Sequence, residues 1–231
     1  MMADKKTHAE VERISPLTDS ILQLIIKPDT YIDYQAGQYL QIMLGDEPFS
    51  YSIANAPLGS HTYELHIRHS RDNPYNQPLL DDIKNKGHVE LHLPMGSCHL
   101  SRLDSNKPIL FIAAGTGFAP VKAMIEQLLA LGEPSPFELY WGARSQSDLY
   151  MDDKVLQWHA HVPQFQYVKH LTNANKESLA DLVHKRHPDD LKDFQIVLAG
   201  PFDMVYATRD QLVTQGACKD MMYSDAFDFE D

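Results

Sequence analysis

Two glycine turns and one serine-bearing strand are the parts of this chain whose residue types could handle a nucleotide. Lys107 to Pro120 reads KPILFIAAGTGFAP, an apolar run that enters a turn with Gly115 and Gly117. VKAMIEQLLA follows, with its apolar residues at helical spacing. A buried strand, a tight turn and a helix can hold a phosphate, because the amides before the first helical turn point outward and the helix dipole favours negative charge. A second turn, LAGPF, with Gly200 and Pro201, ends another apolar run. The first turn lacks the full dinucleotide fingerprint, since Pro120 stands where a third glycine would be. Glycines also serve simply to turn a chain from strand to helix, so taken alone this turn leaves both readings open.

The elements that must position these turns fall into two rhythms. In the first hundred residues, SILQLIIKP, QYLQIML, SYSIAN, TYELHIRHS and HVELHLP are short, roughly alternating and rich in β-branched and aromatic residues. Turn chemistry separates them, and the one helical stretch is PLLDDIKNKG, Pro78 to Gly87. This pattern predicts a small antiparallel β-barrel over residues 1–104. After Lys107, strand-like runs (ILFIAA, FELYWGA, FQYVKHL, FQIVLAG) alternate with helical ones. That alternation predicts an α/β unit with a doubly wound parallel sheet over residues 105–231. The boundary falls at LSRLDSNKP. Parallel strands place ligands at their carboxyl ends, where both glycine turns lie.

Charge and composition exclude several classes of partner. The 231 residues carry a net charge of −12, spread over both halves, which argues against nucleic acid or an anionic membrane surface. Any bound anion must be held by local donors. The N-terminal MMADKKTHAEVE has no apolar core of a signal peptide, and no apolar run approaches the roughly 20 residues that span a bilayer. A cytoplasmic protein is the expectation. Cys98 and Cys218 are too few and too far apart for a zinc or iron–sulfur site. The 12 histidines include the close pair His88 and His92, but no recognised ligand spacing, so no metal is expected.

EPFSYSIAN, FIAAGTGFAP, YWGARSQSDLY, LAGPFDM and YSDAFDF occur in a fixed order. The ordered set resembles the ferredoxin–NADP reductase superfamily, and most closely its short members, the bacterial NAD(P)H–flavin reductases, from Val11 to Phe229. The resemblance implies a flavin in the crevice between barrel and nucleotide unit, with a nicotinamide stacked on it to pass a hydride. It implies that Pro48, Phe49, Ser50, Tyr51 and Ser52 cradle the flavin ring, with Ser50 at the reactive edge and in a catalytic role. Gly115, Thr116, Gly117 and Phe118, with Ala119 and Pro120 opening the helix, match the turn that receives NAD(P)H. Gly200 and Pro201 match the turn beside the nicotinamide, and Asp225 and Phe227 a C-terminal segment that closes on the site. Such chemistry asks mainly for positioning, because the cofactors carry the difficult step.

Two departures from the family pattern bear on function. Members that retain a flavin carry an arginine two residues before the aromatic of the flavin strand, where this chain has Glu47. They also carry a glycine–serine turn before the barrel helix, where this chain reads RDNPYNQP, with Asn73, Pro74, Tyr75 and Asn76. Proline removes a backbone donor there. The expectation is a flavin (riboflavin, FMN or FAD) that binds loosely, as a substrate, with Arg68 or Arg71 as alternative sources of the missing charge. Arg144 and Ser145 follow the next strand and suit a 2′-phosphate as well as a solvated surface, so use of both NADH and NADPH is expected. A flavin-dependent monooxygenase is the kind of partner that would receive reduced flavin. Two other readings compete: a reductase with bound flavin that serves an oxygenase or an iron–sulfur partner, and a nicotinamide-sensing module without flavin chemistry.

Overall fold

The computed structural model describes residues 5–69, 74–132, 134–174 and 176–230. Its first half holds β1 (Lys5–Thr18), β2 (Ile21–Pro28), β3 (Tyr39–Leu44), β4 (Glu47–Ser52), β5 (Tyr63–Arg68), α1 (Gln77–Lys86) and β6 (His88–Met95). The strands form one antiparallel sheet in the order β4-β3-β6-β1-β2-β5. The sheet curls until its two edges meet at a single bridge, Ile53 with Leu65. Past that bridge β4 and β5 are not paired. Inward-facing Leu24, Leu40, Ile42, Phe49, Leu65 and Leu91 fill the barrel, and α1 packs Leu79, Leu80 and Ile83 against it. Gly87 ends α1 at φ 71, the left-handed conformation that a glycine cap adopts without strain.

One strand escaped the sequence pattern. β1 is central in the sheet, yet of its first ten residues only Thr7 and Ala9 are buried. Polar side chains on an outward face, with register shifts at Val11/Arg13 and Pro16/Thr18, hide the alternation.

The second half holds β7 (Ile109–Ala114), α2 (Phe118–Ala130), β8 (Phe137–Ala143), α3 (Asp152–His161), β9 (Phe165–Leu171), α4 (Leu179–Arg186), β10 (Gln195–Ala199), α5 (Phe202–Thr214) and the two-residue β11 (Met222–Tyr223). The sheet is parallel throughout, in the order β11-β10-β7-β8-β9. β7 is buried on both faces: Ile109 and Phe111 pack toward α2 and α3, Leu110 and Ile112 toward α4 and α5. The strand order reverses between β7 and β10, which puts the crevice of the sheet at their carboxyl ends.

Close contacts join the halves. Gly37, at φ 111, leaves no room for a side chain, because a Cβ would stand 2.2 Å from Met124 of α2 and 2.6 Å from the Cys98 carbonyl. No helix among the described residues is long and apolar enough to cross a membrane.

Candidate active site

A cavity of about 800 Å³ opens between the barrel and the carboxyl ends of the parallel strands. The barrel contributes Ser50, Tyr51 and Ser52 of β4 and His66 and Arg68 of β5, so the wall lies along the stretch where the two edge strands diverge. Ser50 is exposed and its hydroxyl accepts a hydrogen bond from Gln41 Nε2 at 3.3 Å. Tyr51 donates its hydroxyl to Asn76 Oδ1 at 2.6 Å, which ties β4 to the turn before α1, and burial pushes its pKa far up.

The nucleotide half contributes both glycine turns. Gly115–Gly117 form a 3₁₀ turn that leads into α2; no side chain caps that helix, and the Phe118 amide is taken by the Gly115 carbonyl of the turn itself. Gly115 sits at φ 55, and a side chain there would be built 3.9 Å from Arg68 Nη2. The guanidinium therefore stands beside the phosphate-type turn. Trp141 Nε1 donates to the Gly115 carbonyl at 3.1 Å and holds the turn from beneath. Thr116, Ala119 and Pro120 also line the cavity, as do Gly200 and Pro201 across the crevice and Arg144 at the end of β8.

Gly117 has a different reason to be glycine than phosphate approach. Its backbone is ordinary helical, and a Cβ would stand 2.2 Å from the Ala199 carbonyl oxygen and 2.7 Å from Gly200 N. The two turns pack on each other there. A valine at this position would displace the backbone of the site.

Four residues tied to the site by resemblance stand outside the cavity wall. Phe49 is 2% exposed in the barrel core, 5.1 Å from the Tyr75 ring, and Pro48 lies exposed near the hairpin end of β4. Phe118 is fully buried and stacks on Trp141 at 4.0 Å. Phe227 packs under the Arg209 guanidinium at 5.3 Å. Glu47 also lies outside it, as do Pro74, Tyr75 and Asn76, while Arg71 and Asn73 fall outside the described residues.

Asp225 does face the cavity. Its carboxylate accepts the Cys98 amide at 2.9 Å, and a Cβ on Gly96 would stand 2.7 Å from it, so the loop after β6 is shaped to receive it. Burial pushes its pKa up to about 6, with the nearby Asp228 charge adding to the rise. Asp228 in turn accepts the Ser97 hydroxyl at 2.7 Å. The C-terminal segment is thus tied to the barrel side. Cys98 is buried, and its thiol is pushed well up by that burial.

His66 and His170 were not anticipated. The signal for His66 is present in ELHIR: Tyr63, Leu65 and Ile67 face the core, so Glu64, His66 and Arg68 share a face that must meet something polar. His170 is 2% exposed in the wall near Arg144, and burial lowers its pKa. Among the described residues no group of three or more His, Cys, Asp or Glu is placed to hold a metal ion.

Known proteins share this arrangement. A family model described as the oxidoreductase NAD-binding domain matches residues 111–210. The NAD(P)H-flavin reductase of Aliivibrio fischeri is 30% identical over 237 residues, covering 96% of this chain and 98% of that protein. The CDP-6-deoxy-L-threo-D-glycero-4-hexulose-3-dehydrase reductase of Yersinia pestis is 30% identical over 213 residues, and this chain spans 64% of its length. Among solved structures, a ferredoxin reductase in carbazole 1,9a-dioxygenase superposes over 98% of this chain and 70% of its own, with a TM-score of 0.80 at 23% identity. The antiparallel barrel followed by a parallel nucleotide sheet is therefore the ferredoxin-reductase-like fold, and this chain belongs to the NAD(P)H-flavin reductase family.

Proposed function

We propose that the protein oxidises NADH or NADPH and reduces a free flavin, which enters and leaves as a substrate. The observation that carries this reading is the placement of the cavity, with a serine-bearing barrel strand on one side and two glycine turns at the switch point on the other. A reduced nicotinamide supplies the hydride and a flavin accepts it, so the chain's task is to bind, orient and exclude water. In this reading the glycine turn before α2 and the Arg68 guanidinium hold the pyrophosphate, Ser50 and Ser52 face the flavin, and Gly200 and Pro201 border the nicotinamide. The division into a flavin unit, 1–104, and a nucleotide unit, 105–231, is part of the proposal. Ser50→Ala should lower kcat/KM for flavin by about 10- to 1,000-fold, the scale of one positioned polar contact in a transition state.

Free flavin is favoured over bound flavin by what stands on the barrel side. No glycine occurs between His69 and Asn76, and the position two residues before Phe49 is acidic Glu47. The test is direct. The purified protein should be colourless, should reduce riboflavin at least as well as FMN at low ionic strength, and should gain affinity for FMN as Glu47→Arg.

One observation favours the second reading, a reductase that keeps its flavin and serves an oxygenase-type partner. Arg68 is in the cavity and could bond a flavin phosphate instead. A yellow protein with one FMN or FAD per chain would establish that reading and overturn the first.

A further inference from the structure

A heavily bonded polar cluster lies between the two halves of the molecule. Lys122, one turn into α2, is 2% exposed. Its ammonium donates to the Ala54 carbonyl at 2.8 Å and to Glu64 at 2.9 Å, and forms an ion pair with Glu126 at 3.0 Å. Glu126 also accepts the Ala56 amide at 3.3 Å and pairs with Lys154 at 3.0 Å. On β5, Glu64 further accepts from Gln23 Nε2 at 2.7 Å and meets His66 Nε2 at 2.9 Å. His66 Nδ1 meets the Tyr150 hydroxyl at 2.9 Å.

The charge states assign the direction of these bonds. Burial opposes ionisation of Glu64, but the His66 bond and the Lys122 charge prevail and hold its pKa at about 2. Burial lowers the pKa of His66, so the ring is neutral at pH 7. Nε2–H then donates to Glu64, and Nδ1 accepts from Tyr150, whose hydroxyl burial keeps protonated. Tyr150 packs edge-on against Trp141 at 5.3 Å and against Phe118 at 6.0 Å. Trp141 bonds the Gly115 carbonyl, so a continuous series of contacts runs from Glu64 to the glycine turn.

We infer that Glu64 is a positioning residue, which through Lys122 and through His66–Tyr150 fixes the spacing between the barrel wall and the glycine turn, and so the rate of hydride passage across the cavity. The inference rests on the proposed flavin reductase reading. Buried ion pairs are a poor source of stability compared with apolar packing. Directed bonds supply fixed geometry, and a misplacement of about 1 Å can slow a positioned reaction about 100-fold.

Glu64→Gln and Tyr150→Phe, made in the full chain, test it. The measurements are kcat and KM with riboflavin, NAD(P)H affinity without flavin by Trp fluorescence, melting temperature, and the primary isotope effect with 4-deuterated nicotinamide. Glu64→Gln should lower kcat by about 10- to 100-fold and raise the isotope effect, while NAD(P)H affinity stays within about twofold. Tyr150→Phe should act in the same direction more weakly. Lys122→Arg, which keeps charge and donors, should retain more rate than Lys122→Met. Unchanged kcat and isotope effect in folded variants overturn the inference, as does a loss of rate matched by an equal loss of affinity. Should Glu64→Gln not fold, Tyr150→Phe decides alone. If the wild type oxidises no NAD(P)H with any flavin, the functional reading fails and the inference falls with it. An active wild type with equally active variants sinks the inference only.

Discussion

Asp225 changes charge within the range of ordinary buffers, and it does so on the wall of the cavity. Its pKa is raised to about 6, so the folded protein favours the protonated form. The sign follows: its contribution to stability is complete below about pH 4, the ordinary carboxylate range, and is lost as pH rises toward 6. Asp225→Asn, which keeps an oxygen for the Cys98 amide, should raise the melting temperature relative to wild type at pH 8 and leave it unchanged at pH 4. Activity should move the same way, because an acceptor gaining hydride gains negative charge beside this group. Wild-type kcat is expected to climb as pH falls through about 6, and the variant's profile to be flat there. Arg68→Ala should raise KM for NAD(P)H by about tenfold, the scale of one charge-assisted contact, and the rise should shrink at high salt. A KM within twofold of wild type would remove Arg68 from the pyrophosphate. At this scale the motifs named the turn glycines that line the cavity together with residues that lie off it, Phe118 and Phe227 among them. The motif EPFSYS places Pro48 to Ser52 together, but Phe49 lies in the core while Ser50, Tyr51 and Ser52 line the cavity.

Helices and strands were legible where their hydrophobic period is strong. β7, α2 and β10 are apolar on the faces that parallel packing demands, and the helix over Gln77–Lys86 matches the expected span to within a residue at its start and ends at Gly87 as expected. β1 was not legible, since a strand with an outward polar face has no period to read, and β11 is two residues long. The packing of the two glycine turns was equally invisible, because it pairs residues far apart in the chain. That packing yields a prediction about elements. Gly117→Ala puts a methyl group against the Ala199 carbonyl, so α2 must shift away from β10. Melting temperature should fall by several degrees, with loss of NAD(P)H affinity. Gly45→Ala, where nothing lies within 4 Å of the added group, serves as a control for glycine replacement in general, its cost coming from a φ of 61 alone.

Across the whole molecule the order of the two units could be inferred from the change of rhythm near Lys107, but their mutual fit could not. Lys122, Glu64, His66 and Tyr150 stand in three segments whose sequences give no sign of one another. The C-terminal segment adds another join, through Ser97 and Cys98 to Asp228 and Asp225. Ser97→Ala should loosen this end of the chain and speed amide hydrogen exchange after Tyr223, with little effect on exchange in β7.

A barrel that closes at one bridge is an incomplete barrel, and its open flank has a consequence for the solution behaviour of the parts. Apart from the Ile53–Leu65 bridge, the facing edges of β4 and β5 are not paired with each other, and in the intact protein the nucleotide unit stands over them. Severed near Asp104, the barrel unit would present two raw strand margins to its neighbours, the arrangement that templates intermolecular sheet. It should self-associate in light scattering at concentrations where the full chain stays monodisperse. A saturating flat flavin, if it lies along that flank, should delay the association.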